Sequence, residues 1–143
     1  MIVDNFQLKG KLEIKINNQV VAKVPNIVVN NGKDFVASRI KDATATVMSH
    51  MAIGTGTTSA VAANTTLETE LSGSRTALTS TTVSSNDVIY VATFGPGVGT
   101  GAVTEAGIFN ASSGGTMLCR TVFAVVNKAA SDSMTITWTV TVS

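Results

Sequence analysis

The alternation in residues 134–142 constrains the fold of this chain more than any other feature. Apolar side chains occupy every second position from Met134 to Val142, with Trp138 at the centre, and threonines fill the positions between them. A period of two sustained over nine residues is typical of a β-strand that buries one face and exposes the other. Similar runs of Thr, Val, Ala and Ser recur from Arg75 onward, so the sequence predicts a largely β-sheet protein.

The N-terminal part contains a second clear strand, residues 8–16. Its even positions are apolar or glycine and its odd positions are lysine or glutamate, which predicts one buried face and one charged face. The turn residues Asn17-Asn18-Gln19 lead into a partner strand over residues 20–24, after which Pro25 interrupts the ladder. The pattern predicts a β-hairpin with a lysine-rich outer face.

Seven or eight strands, spaced 8–15 residues apart, are predicted along the chain. Helix is confined to Lys33 to about Lys41 and to one turn over residues 67–71, while residues 76–84 are predicted as one strand. Strands at this spacing are typical of an all-β fold, an antiparallel β-sandwich or jelly roll. The length suits one domain, residues 1–143, in which residues 1–31 form an N-terminal hairpin or arm packed on the sandwich or extending from it.

Charge is scarce and unevenly distributed. Only 13% of the residues are charged, against about 25% in an average soluble domain, and weak charge repulsion leaves self-association largely unopposed. Residues 1–42 contain seven of the ten Lys and Arg but four of the nine Asp and Glu, a net charge of +3, and the remaining residues carry −2. This excess belongs either to solvated strand and helix faces or to a basic arm that docks on an acidic neighbouring subunit.

The residues that could do chemistry form no recognisable active site. His50 and Cys119 are the single histidine and the single cysteine, too few for a zinc site, and no Gly-x-Ser-x-Gly motif lies near His50. Glu105 lies among apolar neighbours, where a hydrogen-bonded structural carboxylate is expected. The glycine-rich residues 54–58 and 95–101 lack the lysine of a phosphate-binding loop. We predict that the chain is not an enzyme and has no cofactor, metal or small-molecule ligand.

Several classes of partner are also disfavoured. A net charge of +1 creates no global field for nucleic acid, and the few aromatic residues are not interleaved with arginines. No apolar run approaches the roughly 18 residues that cross a membrane, and residues 1–6 do not resemble a secretion signal. A glycan-binding module would need an exposed aromatic ring, whereas Tyr90 and Trp138 are in strand registers that predict burial.

An ordered set of motifs resembles a family of small structural proteins from the particles of tailed bacteriophages. None of the motifs is specific alone, but they follow one another in order over more than 110 residues. They are residues 26–32 (NIVVNNG), 51–58 (MAIGTGTT), 67–71 (LETEL), 104–109 (TEAGIF), 117–123 (MLCRTVF) and 135–141 (TITWTVT).

The resemblance implies a virion protein that is assembled in the host cytoplasm. Capsid cement or decoration proteins bind the outer shell as dimers or trimers and clamp neighbouring capsomers, whereas tail-fibre, baseplate or neck components join a fibre to the particle. The sequence contains no collagen-like, coiled-coil or repeated shaft, which favours cement.

The expected partners of a cement protein are the major capsid protein, or another virion protein, and further copies of the same chain in a homo-oligomer. We expect the capsid contacts to be made by lysines of the N-terminal hairpin, namely Lys9, Lys11, Lys15 and Lys23. The alternatives are the tail component and, from a different class, a glycan-binding surface module.

Overall fold

The structure of the chain, a computed structural model, describes residues 5–143. Strands contain 50% of the residues and helix contains 9%, which confirms the predicted all-β class. The elements in chain order are β1 (Leu8–Ile16), β2 (Gln19–Pro25), β3 (Ile27–Val28), α1 (Asn30–Lys41), β4 (His50–Gly54), β5 (Thr76–Ala77), β6 (Ser80–Ser84), β7 (Asp87–Phe94), β8 (Gly101–Phe109), β9 (Met117–Lys128) and β10 (Met134–Val142).

The strands form two antiparallel five-stranded sheets. The order is β2-β1-β10-β7-β6 in sheet I and β3-β9-β8-β4-β5 in sheet II. The first and last strands have the boundaries expected from the sequence and pair along their whole length, from Leu8 with Val142 to Ile16 with Met134. Buried side chains from both sheets form one shared core. Of the two architectures predicted, the structure shows the sandwich.

Trp138 is completely buried in this core. The apolar face of β10 is buried from Met134 to Val140, and the threonines between these positions are partly exposed on the opposite face, as the alternation predicts. The indole Nε1 donates a hydrogen bond to Asn26 Oδ1 at 2.9 Å, which satisfies the polar edge of the ring. Asn26 lies between β2 and β3, so this bond holds the segment that passes from sheet I to sheet II.

Helix α1 begins at Asn30, earlier than the predicted start at Lys33, and ends at Lys41 as predicted. The Asn30 N–H donates to the Ala62 carbonyl oxygen, a partner outside the helix that the sequence does not reveal. Gly32 permits close packing on sheet II, because a Cβ at this position would lie 2.2 Å from the Leu118 carbonyl oxygen.

Two local predictions are wrong. Residues 67–71 do not form a helical turn, because the N–H groups of Glu68 and Thr69 donate to the Glu105 carboxylate instead. Residues 76–84 are not one strand, since β5 belongs to sheet II and β6 to sheet I, and the chain crosses between the sheets at residues 78–79. This division and the two-residue β3 bring the number of strands in residues 5–143 to ten.

Candidate functional site

The four lysines predicted to contact a capsid lie together on the outer face of sheet I. Lys9, Lys11 and Lys15 occupy odd positions of β1, whereas Leu12 and other even positions point into the core. Lys23 lies on β2 directly opposite Glu13. Residues two apart on a strand are about 6.6 Å apart, so the three lysines of β1 form a row along the sheet. We call this set of four lysines the basic face.

Glu13 is the acidic residue within the basic face. Its carboxylate lies 3.7 Å from Lys15 Nζ and 3.9 Å from Lys23 Nζ. The side chain of Lys23 is 73% exposed and that of Lys15 is 40% exposed, so each pair contributes at most about 1 kcal/mol to stability. Within residues 5–143, Lys9 and Lys11 form no ion pair. The face therefore keeps a positive charge.

A column of threonines borders the basic face. The register places Thr135, Thr137, Thr139 and Thr141 of β10 opposite Lys15, Glu13, Lys11 and Lys9. The next strand, β7, continues the outer face, and the hydroxyls of Thr93 and Thr135 are hydrogen-bonded at 3.1 Å. The outer surface of sheet I thus changes from positively charged at β1 and β2 to neutral and hydroxyl-rich at β10.

A second cluster of charged side chains is buried in sheet II. Glu105 on β8 and Arg120 on β9 are diagonal neighbours, because Glu105 pairs with Val122 and Arg120 with Gly107. The Glu105 Oε2 atom lies 3.0 Å from Arg120 Nε and 2.9 Å from Nη2. The exposed fractions of the two residues are 0% and 1%, so water cannot replace either partner.

The buried pair holds the loop between β4 and β5 against sheet II. Glu105 accepts hydrogen bonds from the backbone N–H groups of Gly56, Glu68 and Thr69 at 3.1, 3.0 and 2.7 Å. Arg120 donates to Asn64 Oδ1 at 2.9 Å and to the Thr58 carbonyl oxygen at 3.1 Å. All these partners belong to the loop, and the Glu105 carboxylate is hydrogen-bonded, as the sequence analysis expected.

The glycines of residues 54–58 are required by this arrangement. A Cβ at Gly56 would lie 2.6 Å from Glu105 Oε1, and a Cβ at Gly54 would lie 2.3 Å from the Thr69 carbonyl oxygen. Both contacts are shorter than real Cβ atoms tolerate. The Gly56 N–H, which a phosphate-binding loop would present to its ligand, is occupied by a carboxylate of the same chain.

The other residues considered for chemistry do not converge. His50 begins β4, and its Nδ1 lies 2.8 Å from the Ser49 hydroxyl oxygen. Cys119 is completely buried, and this burial raises the pKa of its thiol. Within residues 5–143, no three His, Cys, Asp or Glu side chains are grouped so that they could hold a metal ion.

The two aromatic residues relevant to glycan binding are buried, as predicted. Tyr90 is 8% exposed and Trp138 is fully enclosed. Burial raises the pKa of the Tyr90 hydroxyl to about 12. Neither ring is placed to stack on a sugar.

Sequence reasoning missed Arg120 as the partner of Glu105. The available signal was a single acidic residue, Glu105, in one apolar strand and a basic residue, Arg120, near the start of the next, on strands joined by a short connection. Lys128 was missed as well. It is 1% exposed, and its Nζ donates to the Gly95 carbonyl oxygen at 2.8 Å, which anchors the glycine-rich loop after β7.

Comparison with known proteins assigns the chain to no family. No protein-family model, no curated protein and no solved structure matches this chain. Among residues 5–143, no helix has the length and apolar character needed to cross a membrane.

Proposed function

We propose that this chain is a structural protein of a bacteriophage particle, a capsid cement protein that binds the outer shell through its basic face. The observation that carries the proposal is the placement of Lys9, Lys11, Lys15 and Lys23 on one exposed sheet surface with Glu13 as the acidic residue among them. The resemblance to virion proteins in the motif order supplies the biological setting.

The basic face is suited to an acidic protein surface. Complementary charge speeds association and fixes orientation more than it adds affinity. Three of the four lysines project from β1, which pairs with β10 over nine residues and is therefore held in place before binding. A surface that is already ordered loses little conformational freedom on docking. The expected partner is the major capsid protein or another virion protein with an acidic outer surface.

Cement function follows from binding at more than one point. Packaged DNA presses on the shell and strains the contacts between capsomers. A protein that bridges two capsomers binds only the assembled shell, and this binding free energy stabilises the shell relative to its separated subunits. An oligomer of this chain would provide the bridge.

A charge-reversal experiment tests the basic face. The double variant Lys9→Glu/Lys11→Glu is mixed with purified shells that lack the protein, and bound protein is measured by co-sedimentation. We expect at least about tenfold weaker binding, because like charges placed opposite each other across an interface are strongly unfavourable. Binding of the unaltered protein should weaken with added salt.

The matched control is Lys33→Glu/Lys41→Glu, which changes the net charge equally on exposed positions of α1. It should bind shells as the unaltered protein does. Equal binding by both double variants would contradict docking through the basic face. Cryo-electron microscopy of the particle then tests the function itself: density over the shell supports cement, density only at the tail or neck indicates a tail component, and absence from the particle refutes both.

A further inference from the structure

The edges of the two sheets differ in how well they are protected against pairing with another strand. In the described part of the chain, the edge strands are β2 and β6 in sheet I and β3 and β5 in sheet II. Strands β3 and β5 have two residues each, and β2 carries Lys23, Pro25 and a break in its register with β1. Short length, lysine, proline and bulges are the usual means by which natural proteins prevent edge-to-edge association.

Strand β6 has none of these protective features. It has five residues, all of them exposed, and it pairs with β7 without any shift in register. No Lys, Arg, Asp, Glu or Pro occurs between Arg75 and Asp87. A regular, uncharged edge of this length presents unpaired backbone N–H and C=O groups to another strand.

The side of β6 that faces sheet II is also uncovered. Thr81 pairs with Tyr90 and Val83 with Val88, so both side chains lie on the inner side of sheet I. Val83 is nevertheless 74% exposed. Strand β6 therefore extends beyond the cover of sheet II, and an apolar side chain is left in water beside the open edge.

The turn after β6 determines which backbone groups point outward. Ser84 and Asp87 flank a two-residue turn and therefore form a hydrogen-bonded pair. Because bonded and non-bonded pairs alternate along an antiparallel ladder, Thr82 and Ser80 also bond to β7. The N–H and C=O groups of Thr81 and Val83 then point away from β7, toward the open edge.

We propose that β6 pairs with β6 of a second copy of this chain, antiparallel, about a two-fold axis at Thr82. In this register Thr81 of each copy bonds to Val83 of the other, which satisfies all the outward groups of both residues. Thr82 then lies opposite Thr82 of the second copy, and Ser80 lies opposite Ser84. The pairing joins two copies of sheet I into a continuous ten-stranded sheet, and each Val83 packs against Thr81 of the other copy.

A second copy is the occupant that the edge itself favours. The edge is neutral, so two copies meet without charge repulsion. About a two-fold axis the same strand forms both sides of the contact, and each copy supplies the N–H donors and the C=O acceptors that the other needs. A five-residue strand pair is smaller than the roughly 1,200 Å² of a standard interface, so we expect a weak dimer with a Kd of about 0.01–1 mM. The inference deepens the proposed function by specifying its oligomer, but its test uses purified protein without particles. Failure of dimerisation and failure of shell binding are therefore observed separately.

Cysteine crosslinking tests the register. Directly opposed residues on paired strands bring Cα atoms within the 4.4–6.8 Å that a disulfide requires, whereas Thr81 and its own copy would be offset by two residues. Thr82→Cys should therefore crosslink to itself at least about tenfold faster than Thr81→Cys or Val83→Cys. A mixture of Thr81→Cys and Val83→Cys should crosslink as a mixed dimer. The native Cys119 is buried and does not compete.

Sedimentation velocity over a range of concentrations tests the dimer itself. Val83→Pro removes an outward-pointing N–H without removing a bond to β7, and should remain monomeric at concentrations where the unaltered protein dimerises. The control Val20→Lys adds a charge to the opposite edge, β2, and should leave the dimer unchanged. A monomer at millimolar concentration, equal crosslinking at residues 81, 82 and 83, or a dimer that persists in folded Val83→Pro would each overturn the proposal.

Discussion

The substitution Arg120→Leu tests the buried charge pair of sheet II most directly. It leaves the Glu105 carboxylate fully buried, with three backbone N–H donors but without its positive partner. Removing one member of a buried ion pair costs about 3–5 kcal/mol, because the remaining charge is uncompensated. The loss of the hydrogen bonds from Arg120 to Asn64 and Thr58 places the expected cost at the upper end of that range.

Urea unfolding followed by the fluorescence of Trp138 measures this cost, since the indole is fully buried in the folded state. Domains commonly unfold with a free energy of about 5–15 kcal/mol. The unfolding transition of Arg120→Leu can therefore be measured only if the unaltered protein lies near the upper end of that range. The milder Arg120→Lys keeps the charge but not the planar set of donors, and should cost about 1–3 kcal/mol. The control Lys15→Leu removes an exposed ion pair with Glu13 and should cost at most about 1 kcal/mol.

A second substitution separates the effect of charge from the effect of packing. In Glu105→Gln/Arg120→Leu neither charge of the pair remains, so the double variant should be more stable than Arg120→Leu alone. A cost for Arg120→Leu no greater than that of Lys15→Leu would refute the reasoning. The single variant Glu105→Gln completes the cycle. If the free-energy cost of the double variant equals the sum of the costs of Glu105→Gln and Arg120→Leu, the two side chains do not interact, and the reasoning is also refuted.

Three further predictions follow from local geometry. Gly56→Ala should lower the free energy of unfolding by at least about 2 kcal/mol, because its Cβ would meet Glu105 Oε1; the control Gly95→Ala, with no atom within 4 Å, should change it by less than about 1 kcal/mol. Hydrogen bonds from the Ala129 N–H and the Asn17 amide lower the pKa of Asp132 from 3.8. The stability contributed by this carboxylate should therefore be complete above about pH 4 and disappear as the pH falls through its lowered pKa. Urea unfolding at a series of pH values should show that Asp132→Asn loses less stability on acidification than the unaltered protein does. Cys119 should react with a thiol reagent at pH 8 only at the rate of unfolding, since the thiol is buried and its pKa is raised; rapid labelling of the folded protein would contradict this.

The strands that could be predicted from sequence are those whose two faces differ in chemistry. β1 alternates lysine or glutamate with apolar residues and β10 alternates threonine with apolar residues, and both have the predicted boundaries. The same alternation placed the lysines on an outer face and Trp138 in the core. These inferences succeeded because the period of a strand determines on which side each residue lies, whatever the strand pairs with.

The features that could not be predicted depend on contacts between distant residues. The segment 67–71 has a helical spacing of apolar and acidic residues, yet its N–H groups bind a carboxylate more than thirty positions away. The division of residues 76–84 between two sheets was hidden because no glycine, proline or charged residue marks the crossing at residues 78–79. The extension of β6 beyond the cover of sheet II follows from that crossing, so the open edge could not be predicted from the sequence either.

The basic face and the open edge lie at opposite ends of sheet I, since the strand order is β2-β1-β10-β7-β6. Pairing through β6 about a two-fold axis therefore leaves both basic faces free, on the same side of the joined sheet. Seven strand spacings of about 4.8 Å would separate the two β1 strands by roughly 34 Å. A twist of about 20° per strand, accumulated over the same seven spacings, turns the two basic faces roughly 140° away from each other.

Such a dimer could bridge two neighbouring capsomers that lie on either side of it, which is what the proposed clamp requires. Two linked contacts can raise the apparent affinity by about 10²–10⁴ over one contact. Val83→Pro, which leaves every lysine of the basic face unchanged, should therefore bind shells at least about tenfold more weakly than the unaltered protein. Suppose that the dimer is demonstrated in solution and that the two proteins bind shells equally well. Only one basic face of each dimer would then reach the shell. The bridging mechanism would have to be abandoned, even though docking through the lysines still held.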